Sequence, residues 1–144
     1  MITIKIKVLD KSIPVPHYAH SGDAGLDLYS AVNCKLEPFE RKKISTGIKV
    51  SIPNGYAGFV QPRSGIALKN GISMVNAPGL VDSGYRGEIC AILINLDPHN
   101  VFHIKKGDKI CQMIIKKVEE VKLNVVNELD KTSRGEGGFG STGK

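Results

Sequence analysis

Four arginines stand among the twenty basic residues, and Arg63, Arg86 and Arg134 all lie in glycine-containing turn segments, whereas the sixteen lysines spread along the chain. A guanidinium fork grips phosphate bidentately, so arginines held in tight turns read as placed for an anion, and scattered lysines as a solvated surface. Pro62-Arg63-Ser64-Gly65 adds a hydroxyl and free backbone N–H groups at the start of a short helical stretch, a combination that suits phosphate. The segment Asn76 to Glu88 contains Gly79, Gly84 and Gly87 and runs into the apolar stretch from Ile89. It predicts a hairpin with Asp82 and Tyr85 beside its bend. The Asn76 amide and strand-edge backbone there offer both donor and acceptor, as the imide edge of a pyrimidine base requires. Asp82 by itself also reads as the cap of a turn.

The C-terminal stretch holds two false signals. Gly135-x-Gly137-x-x-Gly140 matches a dinucleotide-binding pattern, and Gly138 to Lys144 matches GxxxxGK of a phosphate loop. Each motif works between a strand and a helix whose N-terminus holds the phosphate, and no residues follow here to make that helix. What survives is the underlying chemistry. Closely spaced backbone N–H groups, the hydroxyls of Ser141 and Thr142, and Arg134 can wrap a polyphosphate once it orders them.

These residues need a scaffold, and the periodicity supplies one. Ile2, Ile4, Ile6 and Val8 alternate with polar residues, as do Ile44, Thr46, Ile48, Val50 and Ile52, which predicts strands with one wet face. Shorter β-type runs are expected at Tyr56–Val60, Ile72–Val75, Glu88–Leu96, Val101–Ile104, Ile110–Val118 and Val121–Val126, with turn signals between them at the spacing of a sandwich or barrel. Only Ser64–Asn70 reads as helix. The expected fold is all-β, a jelly roll or distorted β-barrel. The 144 residues bound the count at one domain, here expected over 1–130, with residues 131–144 forming a flexible glycine-rich arm: Arg134 to Lys144 holds five of the sixteen glycines and one large apolar residue, Phe139.

Composition excludes other classes. The longest apolar run, Ile89–Ile94, is far short of the roughly 20 residues of a membrane helix, and Lys5 and Lys7 interrupt any leader-like apolar region. Cys34, Cys90 and Cys111 form an odd set without a CxxC pair, which argues against a disulfide framework or zinc knuckle and fits a reducing cytoplasm. The net charge of +6 favours an anionic partner without naming it.

Five motifs in order resemble those of trimeric deoxyuridine triphosphate nucleotidohydrolase, dUTPase. They are Ala24-Gly25-Leu26-Asp27-Leu28; Pro62-Arg63-Ser64-Gly65; Gly79 to Glu88 with Asn76 ahead of it; Gly107-Asp108-Lys109-Ile110-Cys111-Gln112-Met113-Ile114; and Arg134 to Gly143. The resemblance implies a homotrimer with active sites at subunit interfaces and an arm that closes over a neighbour's site. It implies hydrolysis of dUTP to dUMP and pyrophosphate, with Asp82 as the base for a water attacking the α-phosphorus and Gln112 helping to hold that water. Mg²⁺ would be chelated by the phosphates, with Asp27 acting on it through bound water. Arg63, Ser64 and Gly65 would hold the inner phosphates, and Arg134, Gly140, Ser141 and Thr142 the γ-phosphate. Backbone from Gly79 through Leu80 and Val81 to Asp82, with Asn76 and the strand near Cys90, would read uracil and exclude a 5-methyl group. Tyr85 would pack under the deoxyribose, and Phe139 would stack on the base.

Two departures stand out: Lys109 where many members carry Arg, expected to weaken an intersubunit ion pair, and Cys111 where Ala is usual. Neither is expected to abolish activity, since a buried thiol is nearly as apolar as Ala. His17-x-x-His20 and His99-x-x-x-His103 lack partner ligands on β-rich segments and are assigned no metal. Two rivals remain. One is a dCTP deaminase of the same fold, whose other motifs, including a distinct catalytic Glu, are not found. The other is a basic β-domain binding nucleic acid, which needs aromatics interleaved with basic residues, and the chain has only four Phe, four Tyr and no Trp. Stable nucleic-acid or membrane binding is not expected.

Overall fold

The computed structural model describes residues 2–141. In chain order the elements are β1 (Lys5–Val8), β2 (Leu26–Tyr29), β3 (Cys34–Leu36), β4 (Arg41–Ser51), β5 (Tyr56–Gln61), α1 (Ser64–Asn70), β6 (Ile72–Met74), β7 (Gly79–Val81), β8 (Glu88–Asn95), β9 (Phe102–Ile104) and β10 (Lys109–Lys117). Two four-stranded sheets, ordered β1-β4-β8-β6 and β2-β10-β5-β7, are accompanied by the two-stranded β3-β9. Every strand pair is antiparallel. From β4 to β8 the chain passes from one large sheet to the other at every step, so each sheet is stitched from segments distant in sequence. That is the jelly-roll habit, and the fold is the all-β, distorted barrel that the alternation predicts.

The alternation also names the inward face of β4 correctly, because Ile44, Thr46, Ile48, Val50 and Ile52 are all buried. With Leu28, Val60, Leu93, Ile110 and Met113 they belong to one core between the sheets, where each large side chain contributes on the order of 2 kcal/mol. Thr46 is the polar exception and is satisfied, its hydroxyl donating to the Ile89 carbonyl at 2.6 Å. The β4–β8 ladder shifts register between Ser45 and Lys49. Gly47 sits in that break with φ 69°, and a Cβ on it would lie 2.7 Å from Ile13 Cδ1.

Two expectations are corrected. No strand forms over Val121–Val126: Val121, Leu123 and Val125 are 73, 86 and 97% exposed, because the segment finds no ladder partner within its own chain. The segment expected as a hairpin is not one either. β7 pairs with β5, β8 pairs with β4 and β6, and the two strands leading to and from Asp82 lie in different sheets. Three short strands, β2, β3 and β7, carry no period long enough to announce them.

Candidate active site

The residues expected to hold phosphate include a group that converges at one end of the second sheet. β10 lies between β2 and β5, and its register sets Gln112 opposite Asp27 on one side and opposite Gln61 on the other. The chain leaves β5 through Pro62 and Arg63 and turns directly into α1, so Ser64 and Gly65 stand exposed at the rim. Arg63 donates from Nε to Asp27 Oδ1 at 3.0 Å and from Nη1 to the Lys109 carbonyl at 3.3 Å. Lys109 Nζ meets the other carboxylate oxygen, Oδ2, at 2.8 Å. Gln112 donates from Nε2 to the Pro62 carbonyl at 3.1 Å. Gly25 leaves room beside it, and a Cβ there, 2.7 Å from Gln112 Oε1, would push that amide aside. Gly25, Asp27, Arg63, Ser64, Gly65 and Gln112 line an open cleft of about 460 Å³.

Partial burial acts to raise the Asp27 pKa, and it is outweighed by the Lys109 hydrogen bond and the charges of Arg63 and Lys109, so the net shift is downward. Asp27 in turn raises the Lys109 pKa, chiefly through that hydrogen bond. Lys109 thus makes an ion pair inside its own chain, a partner for it that the sequence did not announce. Burial pushes the Cys111 thiol up to about 12, so it is a packing residue rather than a nucleophile.

The second group gathers where β7 and β8 diverge. Leu80, Val81, Tyr85 and Cys90 wall a cavity of about 330 Å³ together with Lys43 and Glu88. Because β7 ends its sheet and does not pair with β8, backbone donors and acceptors along its free edge stay available to a ligand. Tyr85 donates its hydroxyl to the Glu88 carbonyl at 3.1 Å and its N–H to the Asp82 carbonyl at 3.1 Å. Its ring crosses Gly87 so closely that a Cβ there would lie 2.2 Å from the hydroxyl oxygen. Asn76 packs on Gly79, with Nδ2 3.1 Å from where a Cβ would be. Arg86 Nη1 closes the loop by donating to the Ser83 and Tyr85 carbonyls at 2.6 and 2.8 Å. Asp82 is exposed at this loop.

One chain does not unite the two groups. Val81 pairs with Gly58 while Gln112 pairs with Gln61, and β7 and β10 flank β5 on opposite sides. Asp82 is thus about 13 Å from Gln112 along the strands and about 9.5 Å across them. The arm residues stand apart from both groups. Arg134 Nε donates to its near neighbour, the Gly137 carbonyl, at 2.9 Å, and Phe139, Gly140 and Ser141 are exposed. Thr142 lies outside the described residues. Sequence reasoning missed Lys109 as the partner of Asp27, although it marked the position, and passed over Glu88 beyond its place in a motif.

No group of three or more His, Cys, Asp or Glu able to enclose a metal occurs among the described residues. Asp27 nonetheless suits a metal reached through water. Each carboxylate oxygen offers two acceptor positions, and Arg63 and Lys109 each use one.

The chain is thus an all-β, jelly-roll-type domain with an arginine–carboxylate cleft at one sheet end and an open strand edge elsewhere. The dUTPase family model matches residues 11–143, and the chain belongs to the dUTPase family. It is 54% identical over 138 residues to the deoxyuridine 5'-triphosphate nucleotidohydrolase of Clostridium kluyveri, with 96% of each chain covered. To that of Corynebacterium glutamicum it is 50% identical over 144 residues, covering 100% of this chain and 97% of the relative. Among solved structures, a variant of the Staphylococcus bacteriophage 80alpha dUTPase with dUpNHpp superposes with a TM-score of 0.93 at 30% identity, each chain covered completely. A variant of the dUTPase of Staphylococcus aureus phage phi11, which coordinates a structural Mg(II) ion, superposes with a TM-score of 0.83 at 27% identity over 90% of this chain and 100% of that one.

Proposed function

We propose that this protein hydrolyses dUTP to dUMP and pyrophosphate, limiting uracil incorporation into DNA and supplying dUMP for thymidylate synthesis. The observation that carries the reading is the Arg63 guanidinium, fixed by Asp27 beside Ser64 and Gly65 in a cleft of phosphate size. A water oxygen attacks the α-phosphorus, the bond to the α–β bridging oxygen breaks, pyrophosphate leaves, and Asp82 takes the water's proton. Gln112 orients that water. Arg63, Ser64 and Gly65 hold the inner phosphates. When bound, Mg²⁺ would supply charge neutralisation for the triphosphate, and Asp27 would hold it through water.

Leu80, Val81, Asp82 and Cys90 present backbone to uracil, with Asn76 and Gly79 shaping the approach, and Tyr85 lies under the deoxyribose. The body over 1–130 does the chemistry, while the arm over 131–144 brings Arg134, Gly140, Ser141 and Thr142 to the γ-phosphate and Phe139 onto the base. The enzyme works as a homotrimer. Two features support an assembly of several copies: Asp82 and Gln112 are too far apart in one chain to share a water, and the segment after β10 exposes Val121, Leu123 and Val125, an apolar row that needs a partner surface. No helix among the described residues is long and apolar enough to cross a membrane, and three free cysteines suit the reducing cytoplasm.

Incubation with each deoxynucleoside triphosphate and Mg²⁺ tests the reading, with pyrophosphate expected from dUTP alone. Ammonia from dCTP, or inertness to all four nucleotides combined with salt-sensitive binding of single-stranded DNA, would replace it.

A further inference from the structure

We propose that Glu88 is a positioning residue that sets how far the nucleobase slot opens and hence its discrimination against a 5-methyl pyrimidine; the inference rests on the dUTP reading above. The slot has two jaws, β7 and the start of β8, and they belong to different sheets. The β4–β8 ladder leaves Ile89, between Glu88 and Cys90, without a register partner. β4 and β8 pair at Ser45↔Cys90 and at Lys49↔Glu88, and the register breaks between those pairs. A jaw set beside a bulge needs other ties.

The polar groups of the bulge account for those ties. The Ser45 carbonyl accepts from Ala31 N–H and the Gly47 carbonyl from Leu9 N–H, each at 2.8 Å, so both carbonyls point away from β8. The Gly47 N–H turns toward β8 and donates to Glu88 Oε1 at 2.8 Å, and the Ser45 hydroxyl donates to the same oxygen. The next residue along the jaw is held from inside, where the Thr46 hydroxyl donates to the Ile89 carbonyl at 2.6 Å. Glu88 and Ile89 thus hang on three side-chain-mediated bonds to the bulge, directly before Cys90. Tyr85 depends on the same anchor, because its hydroxyl donates to the Glu88 carbonyl. Glu88 also forms no salt bridge among the described residues: its carboxylate acts as an acceptor for the bulge. Loss of the anchor lets the β8 jaw drift while β7, held on β5, stays in place.

The test is steady-state hydrolysis of dUTP and dTTP by the full-chain protein, with Glu88→Ala, Glu88→Gln and Thr46→Val. Glu88→Ala is expected to keep kcat for dUTP within about threefold, raise KM, and lower the dUTP-to-dTTP ratio of kcat/KM about tenfold or more, the scale on which a pocket rejects one methyl group. Glu88→Gln keeps an acceptor oxygen at the same reach and is expected to restore the ratio to near the native value. Thr46→Val is expected to shift the ratio the same way. A folded Glu88→Ala protein with unchanged discrimination, or a Glu88→Gln protein as permissive as the alanine variant, overturns the role. If Glu88→Ala does not fold, an unchanged ratio in Thr46→Val overturns it. A native protein that leaves dUTP intact overturns the functional reading itself, an outcome separate from any of these.

Discussion

Asp27 holds Arg63 by its Nε edge at 3.0 Å, so the guanidinium faces the cleft with its orientation set before any ligand arrives. The carboxylate is 15% exposed, and Lys109 on its second oxygen completes a cation–anion–cation row across β2, β10 and the turn after β5. An arginine locked this way loses little side-chain freedom on gripping phosphate. Asp27→Asn keeps the shape and removes the charge, leaving two cations side by side. It is expected to raise KM for dUTP by about tenfold, the worth of one charge-assisted hydrogen bond. Steady-state kinetics at fixed Mg²⁺ check this, and an unchanged KM would mean that Arg63 orients itself.

The same row predicts a pH dependence of stability. The folded pKa of Asp27 lies below its ordinary 3.8, so its contribution is present above that value and is lost as pH falls through the depressed one. Lys109 is shifted the other way, above 10.5, so its contribution is complete below that value and is lost only as pH rises through the elevated one. The pair therefore supports the fold evenly between about pH 4 and pH 10. Urea midpoints of the native protein and of Asp27→Asn should differ by a constant amount across that window and converge in stronger acid. A gap that does not narrow at all as pH falls below 3.8 would show that the carboxylate's charge is not what stabilises the row.

The arm makes its own prediction. Among the described residues the Arg134 side chain bonds to Gly137, three positions on, and Phe139 is fully exposed, so the segment adds nothing to the core. Truncation after Ser133 should leave the thermal midpoint unchanged within about 2 °C, since no buried apolar surface is removed. It should also cost most of the hydrolysis rate, as loss of a closing lid does. A truncated protein of full activity would remove Arg134 and Phe139 from the site.

How much of this was legible in the sequence depended on period and on locality. Ile44 to Ile52 announced both the strand and its buried face, because nine residues hold the period of two without a break. Leu26–Tyr29 and Cys34–Leu36 could not, since three or four residues carry too little period to separate strand from loop. Val121 to Val126 shows the opposite failure: the pattern is right for a strand, but pairing is non-local and the chain offers it no partner. That Arg63, Ser64 and Gly65 share one cleft was readable because they are adjacent. The Asp27–Lys109 pair was not, because only the β2–β10 register brings positions 82 residues apart together. The registers of β10 and β7 on β5 in turn separate Asp82 from Gln112.

That separation yields the most discriminating prediction. If one active site takes Asp82 from one copy and Arg63 with Gln112 from another, two inactive variants can repair each other. Asp82→Asn should bind a non-hydrolysable dUTP analogue nearly as well as the native protein, with turnover lowered about a hundredfold or more through loss of the general base. Arg63→Ala should fail instead through weak binding of the phosphates. Unfolding the two variants together and refolding them at equal concentration forms mixed assemblies, some of whose sites combine a native Asp82 with a native Arg63. Activity well above the sum of the separately refolded variants is expected, rising to a plateau as the mixing ratio approaches one to one. Strict additivity at every ratio would place both residues of each working site on a single chain, and the spacing set by β5 would then have to close by a rearrangement of β7 against β10.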